Sequence, residues 1–232
     1  MKNFPQHIAL IPDGNRRWAK KNGVAVMLGH EKGSDAFEKI LEKVLELKIP
    51  YLTFWGLSLD NVLKRQKKEI DYIYGIIERQ FLKLIADERI HKNKVKVEVL
   101  GRWRELFPEK LKQVIQKSID STKGYDKNHL TFLLAYNGTD EMIECVKTIQ
   151  KQSKKVDEKT IKENLWTRDL PGVDLIIRTG TEGDPHLSAG FMMWDAAYAQ
   201  LYFTKTYFPA FTPKELEKSV MDYAERQRRK GA

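Results

Sequence analysis

The chain is poor in cysteine: Cys145 is the only one in 232 residues. That excludes an internal disulfide framework and suits a reducing compartment. No apolar run approaches the roughly 20 residues that a helix needs to span a bilayer. Met1–Gln6 carries no apolar core of a signal peptide, so the expectation is a cytoplasmic protein that touches a membrane only from outside. There is no phosphate-binding G-x-x-x-x-G-K-[ST] loop, no G-x-G-x-x-G and no Cys/His zinc spacing, so nothing points to a nucleotide cofactor. His7, His30, His91, His129 and His186 are too dispersed for a local metal signature. Internal repeats, low-complexity segments and dividing linkers are also missing, so residues 1–232 read as a single domain.

What is present begins with charge. Hydrophobic residues make up 41% and charged residues 31%, as in ordinary globular proteins, but the formal net charge is +9. Such an excess favours anionic partners: phosphorylated metabolites, nucleic acid or an anionic membrane surface.

Short apolar runs alternate with segments of helical period. His7–Pro12, Tyr51–Leu57, Val95–Leu100, His129–Tyr136, Val173–Arg178 and Leu201–Thr204 read as strands. Helical spacing recurs over Ala36–Leu47, Ile70–Ile85, a stretch opened by Pro108, another starting near Thr139 or Asp140, and a last one opened by Pro213. Val95, Val97 and Val99 alternate with charged residues, which suits a strand at an edge. Lys151–Asp157 is the most polar stretch and reads as a surface loop. The alternation predicts an α/β fold with a mostly parallel central sheet flanked by helices. Ligands of such sheets bind beyond the carboxyl ends of the strands. Three strands here run into polar, Gly- or Arg-containing segments: Asp13–Trp18, Ser58–Arg65 and Arg178–Ser188.

The first of these is the richest. Asp13 follows a buried strand, and Gly14-Asn15 turn the chain into a helix whose first N–H groups lack partners. Gly14 lets the backbone approach a ligand closely, while Arg16 and Arg17 add forked donors. A carboxylate among these cations makes sense if it holds a divalent metal bridging phosphate oxygens. A bare D-G-N is more often a turn with a helix cap; the whole string HIALIPDGNRRWAK is harder to dismiss that way.

That string closely resembles the first signature of the cis-prenyltransferases, the undecaprenyl diphosphate synthase family. Four further segments follow in order. Gly29-His30 with Gly33 is similar to the family's G-H-x-x-G, and Ser58–Arg65 (SLDNVLKR) to its S-x-E-N-W-x-R. Asp174–Gly180 (DLIIRTG), with Ser188 and Phe191–Trp194, resembles the D-L-I-I-R-T-G region, and Arg229-Lys230-Gly231 resembles the R-x-G tail. The resemblance covers essentially the whole chain. It implies an Mg²⁺-dependent transferase in which Asp13 and Asn61 are catalytic and Asp13 holds the metal. An allylic diphosphate of the geranyl, farnesyl or geranylgeranyl type would lie over Gly14, Asn15, Arg16, Arg17 and Trp18, with His30, Ser58, Asn61 and Arg65 completing the pocket. Isopentenyl diphosphate, the default acceptor giving a Z-configured product, would meet Arg178, His186, Ser188, Arg229 and Gly231. The prenyl tail would run down a hydrophobic tunnel between the sheet and helices such as Ala36–Leu47 and Ile70–Ile85. The resemblance further implies a homodimer, with peripheral membrane contact through the lipid product.

Several positions depart from the family pattern. Val26 stands where an arginine is usual, Val62 replaces a Trp, Gln66 a Pro, and Thr139 an Arg. The third region carries an insertion, Gly183-Asp184-Pro185, which leaves His186 where a second arginine is expected, and Gln200 replaces a glutamate. A neutral histidine lacks the fixed charge and fork of arginine, and one lost charge-assisted bond costs about 1.5–3 kcal/mol. The acceptor half of the site is thus the more altered, which suggests weakened isopentenyl diphosphate binding or another acceptor such as an alcohol or a second prenyl unit.

The blander readings stand beside these. His30 alone could be a buried, backbone-satisfied histidine; Trp55 and Trp194 suit a core, with Trp18 less clear; Lys64, Lys67 and Lys68 suit a solvated face; and the Arg226–Lys230 run suits a helix C-terminus whatever the function. A nucleic-acid binder would fit the charge, but no helix-turn-helix, zinc-finger or RNP pattern is present and no nucleic acid is expected. A non-catalytic partner subunit is the third reading, weakened by the presence of Asp13.

Overall fold

The computed structural model describes residues 4–153 and 155–226. Six strands form one sheet: β1 (His7–Ile11), β2 (Tyr51–Ser58), β3 (Val95–Leu100), β4 (Asn128–Tyr136), β5 (Leu175–Arg178) and β6 (Gln200–Phe203). Their spatial order is β3-β4-β2-β1-β5-β6, and every adjacent pair is parallel. The expected mostly parallel sheet is therefore wholly parallel among the described residues. Strands covered on both faces read as unbroken apolar runs, and HIALI of β1 and LIIR of β5 are buried throughout. At the edge, β3 alternates buried valines with half-buried Lys96 and Glu98, which pair at 3.0 Å.

The helices divide between the two faces. On one lie α2 (Val26–Glu46), α4 (Lys67–Ala86), α7 (Glu109–Thr122) and α10 (Pro213–Glu225), and their apolar stripes close a large core over Ile8, Leu10, Leu130 and Phe132. Against the other face, Ala9, Ile11 and Leu133 meet Phe191 and Met192, and α8 (Gly138–Gln152) adds Cys145 and Ile149 with Leu165. Short helices α1 (Asn15–Lys21), α3 (Leu59–Lys64), α5 (Glu88–Lys92), α6 (Trp103–Leu106) and α9 (Glu158–Asn164) link these elements.

Several boundaries differ from the sequence expectation. The helix expected from Ala36 begins at Val26, because Gly29 and Gly33, poor helix formers by propensity, are needed for packing. A Cβ on Gly29 would overlap the Asn15 backbone oxygen, and one on Gly33 would overlap the Asn15 side chain. These two bare positions let α2 lie directly on α1. Lys151 and Gln152, expected in a loop, complete α8, which stops at Ser153 with φ +51°. The strand expected from Val173 starts at Leu175.

The strand order reverses at β1, whose neighbours are β2 on one side and β5 on the other. Ile11 of β1 lies opposite Arg178 of β5, so the crevice at the carboxyl ends of these two strands is the topological switch point where open α/β sheets hold ligands.

Gly29→Ala is expected to destabilise the protein by about 1–3 kcal/mol, since the added methyl forces backbone apart. The melting midpoint should then fall by about 2–4 °C per kcal/mol. An unchanged midpoint in thermal denaturation would mean that α1 and α2 separate freely.

Candidate functional site

The three strand ends singled out from sequence converge on one cavity of about 990 Å³ at this switch point. Its mouth is polar. Asp13, Gly14, Asn15, Arg16 and Arg17 enter from the β1–α1 turn, His30 from α2, Ser58, Asn61 and Arg65 from β2 and α3, and Arg178 and Ser188 from β5 and the segment after it. Its depth is apolar, walled by Phe37, Phe54, Ile73, Ile77, Phe81 and Phe132. Four of these rings pack together, Phe37 on Phe54 with centroids 4.6 Å apart and Phe81 on Phe132 at 5.0 Å.

Backbone geometry sets the turn. Gly14 takes φ +104° as the N-cap of α1, a left-handed conformation that favours glycine. The Tyr207 ring lies so close that any Cβ at Gly14 would overlap it. Because α1 is only seven residues long, charged side chains rather than the helix dipole dominate the mouth.

Asp13 sits between two guanidiniums. Its Oδ1 meets Arg17 Nη2 at 3.0 Å and its Oδ2 accepts Arg178 Nη2 at 2.9 Å. Arg178, 7% exposed, also donates through Nη1 to Ser188 Oγ at 3.0 Å and to the His186 carbonyl at 2.5 Å. Its Nε is buried without a partner, an expensive state for a charged donor unless a ligand oxygen arrives. Arg17 donates to Glu182 Oε2 at 3.1 Å, and Glu182 accepts the Tyr207 hydroxyl. Burial pulls the Arg17 guanidinium down, but Asp13 and Glu182 outweigh it and its pKa is raised. The Tyr207 hydrogen bond, helped by Arg17, holds the Glu182 carboxyl below its usual range.

A second cluster lies across the mouth. Glu69 Oε1 accepts Arg65 Nη1 at 2.8 Å and pairs with His30 Nε2 at 3.1 Å, with Arg16 Nε at 3.9 Å. Burial lowers the His30 pKa despite Glu69, so the ring is neutral near pH 7. Ser58 caps α3 by accepting the Asn61 N–H at 3.1 Å, which seats Asn61 at the cavity wall.

Other predicted positions fall elsewhere. Trp18 is half-buried on α1 and does not line the cavity. The His186 ring is also outside the wall, with Nδ1 near the Asp184 carboxylate at 3.1 Å and Nε2 near Ser188 Oγ at 3.2 Å. It reaches the site through its carbonyl and Ser188. Gln200 opens β6 opposite Leu175, at the end of the sheet remote from Arg178, and its Oε1 is buried without a partner. Its exchange for glutamate therefore does not alter this chain's own cavity wall. Val26 does line the cavity, and Trp55, read as core, is 8% exposed and also part of the wall. Arg229 and Gly231 lie outside the described residues. Sequence reasoning missed Glu69, Glu182, Tyr207 and the four-ring floor. Only Glu69 left a signal, its spacing of four from Arg65.

No group of three or more His, Cys, Asp or Glu among the described residues could cage a metal. Nor is any helix of the described residues long and apolar enough to cross a membrane.

A wholly parallel α/β sheet, with guanidiniums rimming an aromatic-floored cavity at its switch point, defines a class of protein suited to ligands with an anionic head and a hydrocarbon body. Comparison with known proteins narrows the class. The prenyltransferase family model, that of the undecaprenyl diphosphate synthases, matches residues 11–231. A tritrans,polycis-undecaprenyl-diphosphate synthase (geranylgeranyl-diphosphate specific) of Thermoplasma volcanium is 34% identical over 234 residues, covering 98% of this chain and 89% of that protein. An isoprenyl transferase of Thermotoga maritima is 36% identical over 235 residues, covering 98% and 97%. The crystal structure of lavandulyl diphosphate synthase from Lavandula x intermedia, in complex with dimethylallyl diphosphate, superposes with a TM-score of 0.90 at 28% identity over 99% of both chains. The chain belongs to the cis-prenyltransferase family, that of the undecaprenyl diphosphate synthases.

The buried imidazoles give the fold a defined acid sensitivity. Burial, the largest influence on both, keeps His7 and His30 below the ordinary value of 6.5. The unfolded chain therefore binds protons near pH 6.5 that the native chain refuses, and stability falls as the pH drops through that value. Melting midpoints should decline from about pH 7.5 to about pH 5.5, above the range where most carboxylates titrate. His30→Gln should flatten that decline; an identical slope would show that the His30 ring titrates normally in the folded protein.

Proposed function

We propose that the protein transfers the prenyl group of an allylic prenyl diphosphate to isopentenyl diphosphate, releasing diphosphate and extending the chain in Z configuration. The observation that carries this reading is the joining, in one cavity at the switch point, of a guanidinium-rich mouth to an apolar floor. A diphosphate head would meet Arg16, Arg17 and Arg65 with Asn15 and His30, and the tail would extend past Phe37 towards Phe81 and Phe132, making the cavity the tunnel expected from sequence. Breaking the C–O bond of an allylic diphosphate requires stabilisation of the departing negative charge, which pre-placed guanidiniums supply without reorganisation. An acceptor double bond held close captures the allylic cation as the diphosphate departs, and loss of a proton from the acceptor then completes the new Z double bond. No covalent protein nucleophile is required.

The donor set fits Mg²⁺. This ion keeps several waters and is held by one or two carboxylates plus substrate phosphates rather than by a protein cage. Asp13, whose side chain is 35% exposed at the mouth, is the carboxylate that would hold it. When bound, the ion neutralises charge on the diphosphate. Arg17 and Arg178 hold that carboxylate and would turn to phosphate oxygens in the complex.

A second reading concerns the acceptor. Around Arg178 and Ser188 the described residues offer one guanidinium, whereas the donor side offers Arg16, Arg17 and Arg65. The His186 ring outside the wall does not make up the difference. This asymmetry supports an acceptor needing fewer cations, such as an alcohol or a second prenyl unit, unless Arg229 completes the pocket. The products after which relatives are named, undecaprenyl and lavandulyl diphosphates, show that the family accommodates more than one outcome.

A homodimer fits this reading. The open edge β6 exposes Leu201, and Met193, Tyr198, Ile143 and Val146 are likewise exposed apolar side chains. Prenyl substrates and lipid products would bring the protein to a membrane surface from the cytoplasmic side.

Incubation with geranyl, farnesyl and geranylgeranyl diphosphates plus Mg²⁺, with and without isopentenyl diphosphate, should yield Z-prenyl products by mass spectrometry only when the acceptor is present. Products formed without it would favour the second reading, and none under any condition would defeat both. Asp13→Ala should lower turnover by roughly a hundredfold or more, the scale of removing an electrostatic stabiliser. Calorimetry gives an independent check on the acceptor: micromolar binding of isopentenyl diphosphate would count heavily against the alternative acceptor.

A further inference from the structure

Arg65, His30 and Arg16 line the mouth of the cavity, and all three turn towards one carboxylate that does not line it. Glu69 stands in the first turn of α4 with its side chain 13% exposed. Its Oε1 takes the Arg65 Nη1 hydrogen bond at 2.8 Å, the His30 Nε2 contact at 3.1 Å and the Arg16 contact at 3.9 Å. We infer that Glu69 is the positioning residue of the diphosphate pocket, holding Arg65 and His30 from behind so that the remaining Arg65 donors face the ligand. This inference rests on the proposed reading of the cavity as a prenyl diphosphate site.

Its placement separates this role from that of a stand-in anion. A carboxylate occupying the phosphate position would itself form the cavity wall and would have to leave when the ligand arrives. Glu69 lies behind the wall and can stay. The Arg65 side chain is 19% exposed, and Glu69 is the only carboxylate within ion-pair distance of its guanidinium among the described residues. Without it, a long side chain with several rotatable bonds would be free to leave the mouth. For His30, the contact of Nε2 with Glu69 Oε1 fixes the ring plane. Four elements meet here: α1 through Arg16, α2 through His30, the end of α3 through Arg65, and α4 through Glu69 itself. The carboxylate thus sets the spacing of cations that the sequence places far apart.

The test is calorimetric titration of inorganic diphosphate into wild type, Glu69→Ala, Glu69→Gln, Arg65→Ala and the Arg65→Ala/Glu69→Ala double variant, beside steady-state kinetics with farnesyl and isopentenyl diphosphates. Glu69→Ala should weaken diphosphate binding roughly ten- to a hundredfold, the worth of a hydrogen bond to a charged group. It should raise KM for the allylic substrate similarly while kcat and the isopentenyl diphosphate KM change little. Glu69→Gln, which keeps an acceptor oxygen, should recover most of the loss. In the Arg65→Ala background, Glu69→Ala should cost much less than it does alone. Should Glu69→Ala fail to fold, Glu69→Asp, which withdraws the carboxylate by one methylene, should weaken binding at an unchanged melting midpoint. Wild-type affinity in Glu69→Ala, or effects of the two substitutions that simply add, would overturn the positioning role. Failure of the wild type to bind diphosphate at all would instead overturn the reading of the cavity, and the inference with it.

Discussion

The ion triad of Arg17, Asp13 and Arg178 is the interaction on which the rest of the site depends. Asp13 joins the turn after β1 to Arg178 at the end of β5, 165 residues away in sequence but adjacent at the switch point. Two guanidiniums drawn to one part-buried site repel each other, and the carboxylate between them offsets that cost. Arg178 keeps Nε without a partner, and Arg17 is shared between Asp13 and Glu182.

Glycines turn this electrostatic plan into a structure. Gly14 supplies a left-handed turn beneath the Tyr207 ring, and Gly29 and Gly33 bring α2 onto α1 at a distance that any side chain would increase. The resulting approach puts His30 within reach of Glu69 and Arg65, and continues directly into the ring cluster of Phe37, Phe54, Phe81 and Phe132. The polar mouth and apolar depth of the cavity are thus linked by consecutive turns of one helix: His30 at the mouth, Gly33 and Ser34 next, Phe37 in the depth.

The departures from the family pattern separate on the same geometry. Val26 lines the cavity without adding a cation, and Arg16, Arg17 and Arg65 remain in its wall. Beside Arg178 the His186 carbonyl accepts a hydrogen bond while its ring points towards Asp184, so the substitution preserves a structural bond but adds no charge to the wall. Gln200 begins a strand whose carboxyl end, not its start, is level with Arg178. Two substitutions that look alike in sequence therefore differ: one adjoins the cavity and the other does not.

Strand positions, a mostly parallel sheet and the Asp13, Asn61 and Arg178 segments were legible in the sequence because they depend on local patterns: continuous apolar runs, turn residues and motif spacing. The membership in a family of prenyltransferases was legible for the same reason, in five ordered motifs. Helix α2 was read too short because propensity penalises Gly29 and Gly33, and only the packing partner Asn15 explains them. Glu182, Tyr207 and the four-ring floor could not be assigned from sequence, since each is defined by contacts between segments distant along the chain, whereas Glu69 left only its spacing of four from Arg65. Sequence by itself determined which chemical groups the protein carries and the order in which the strands present them. Only the tertiary structure decided which carboxylate faces which cation, because Coulomb and hydrogen-bond energies depend on distances of a few ångströms that close when distant segments pack.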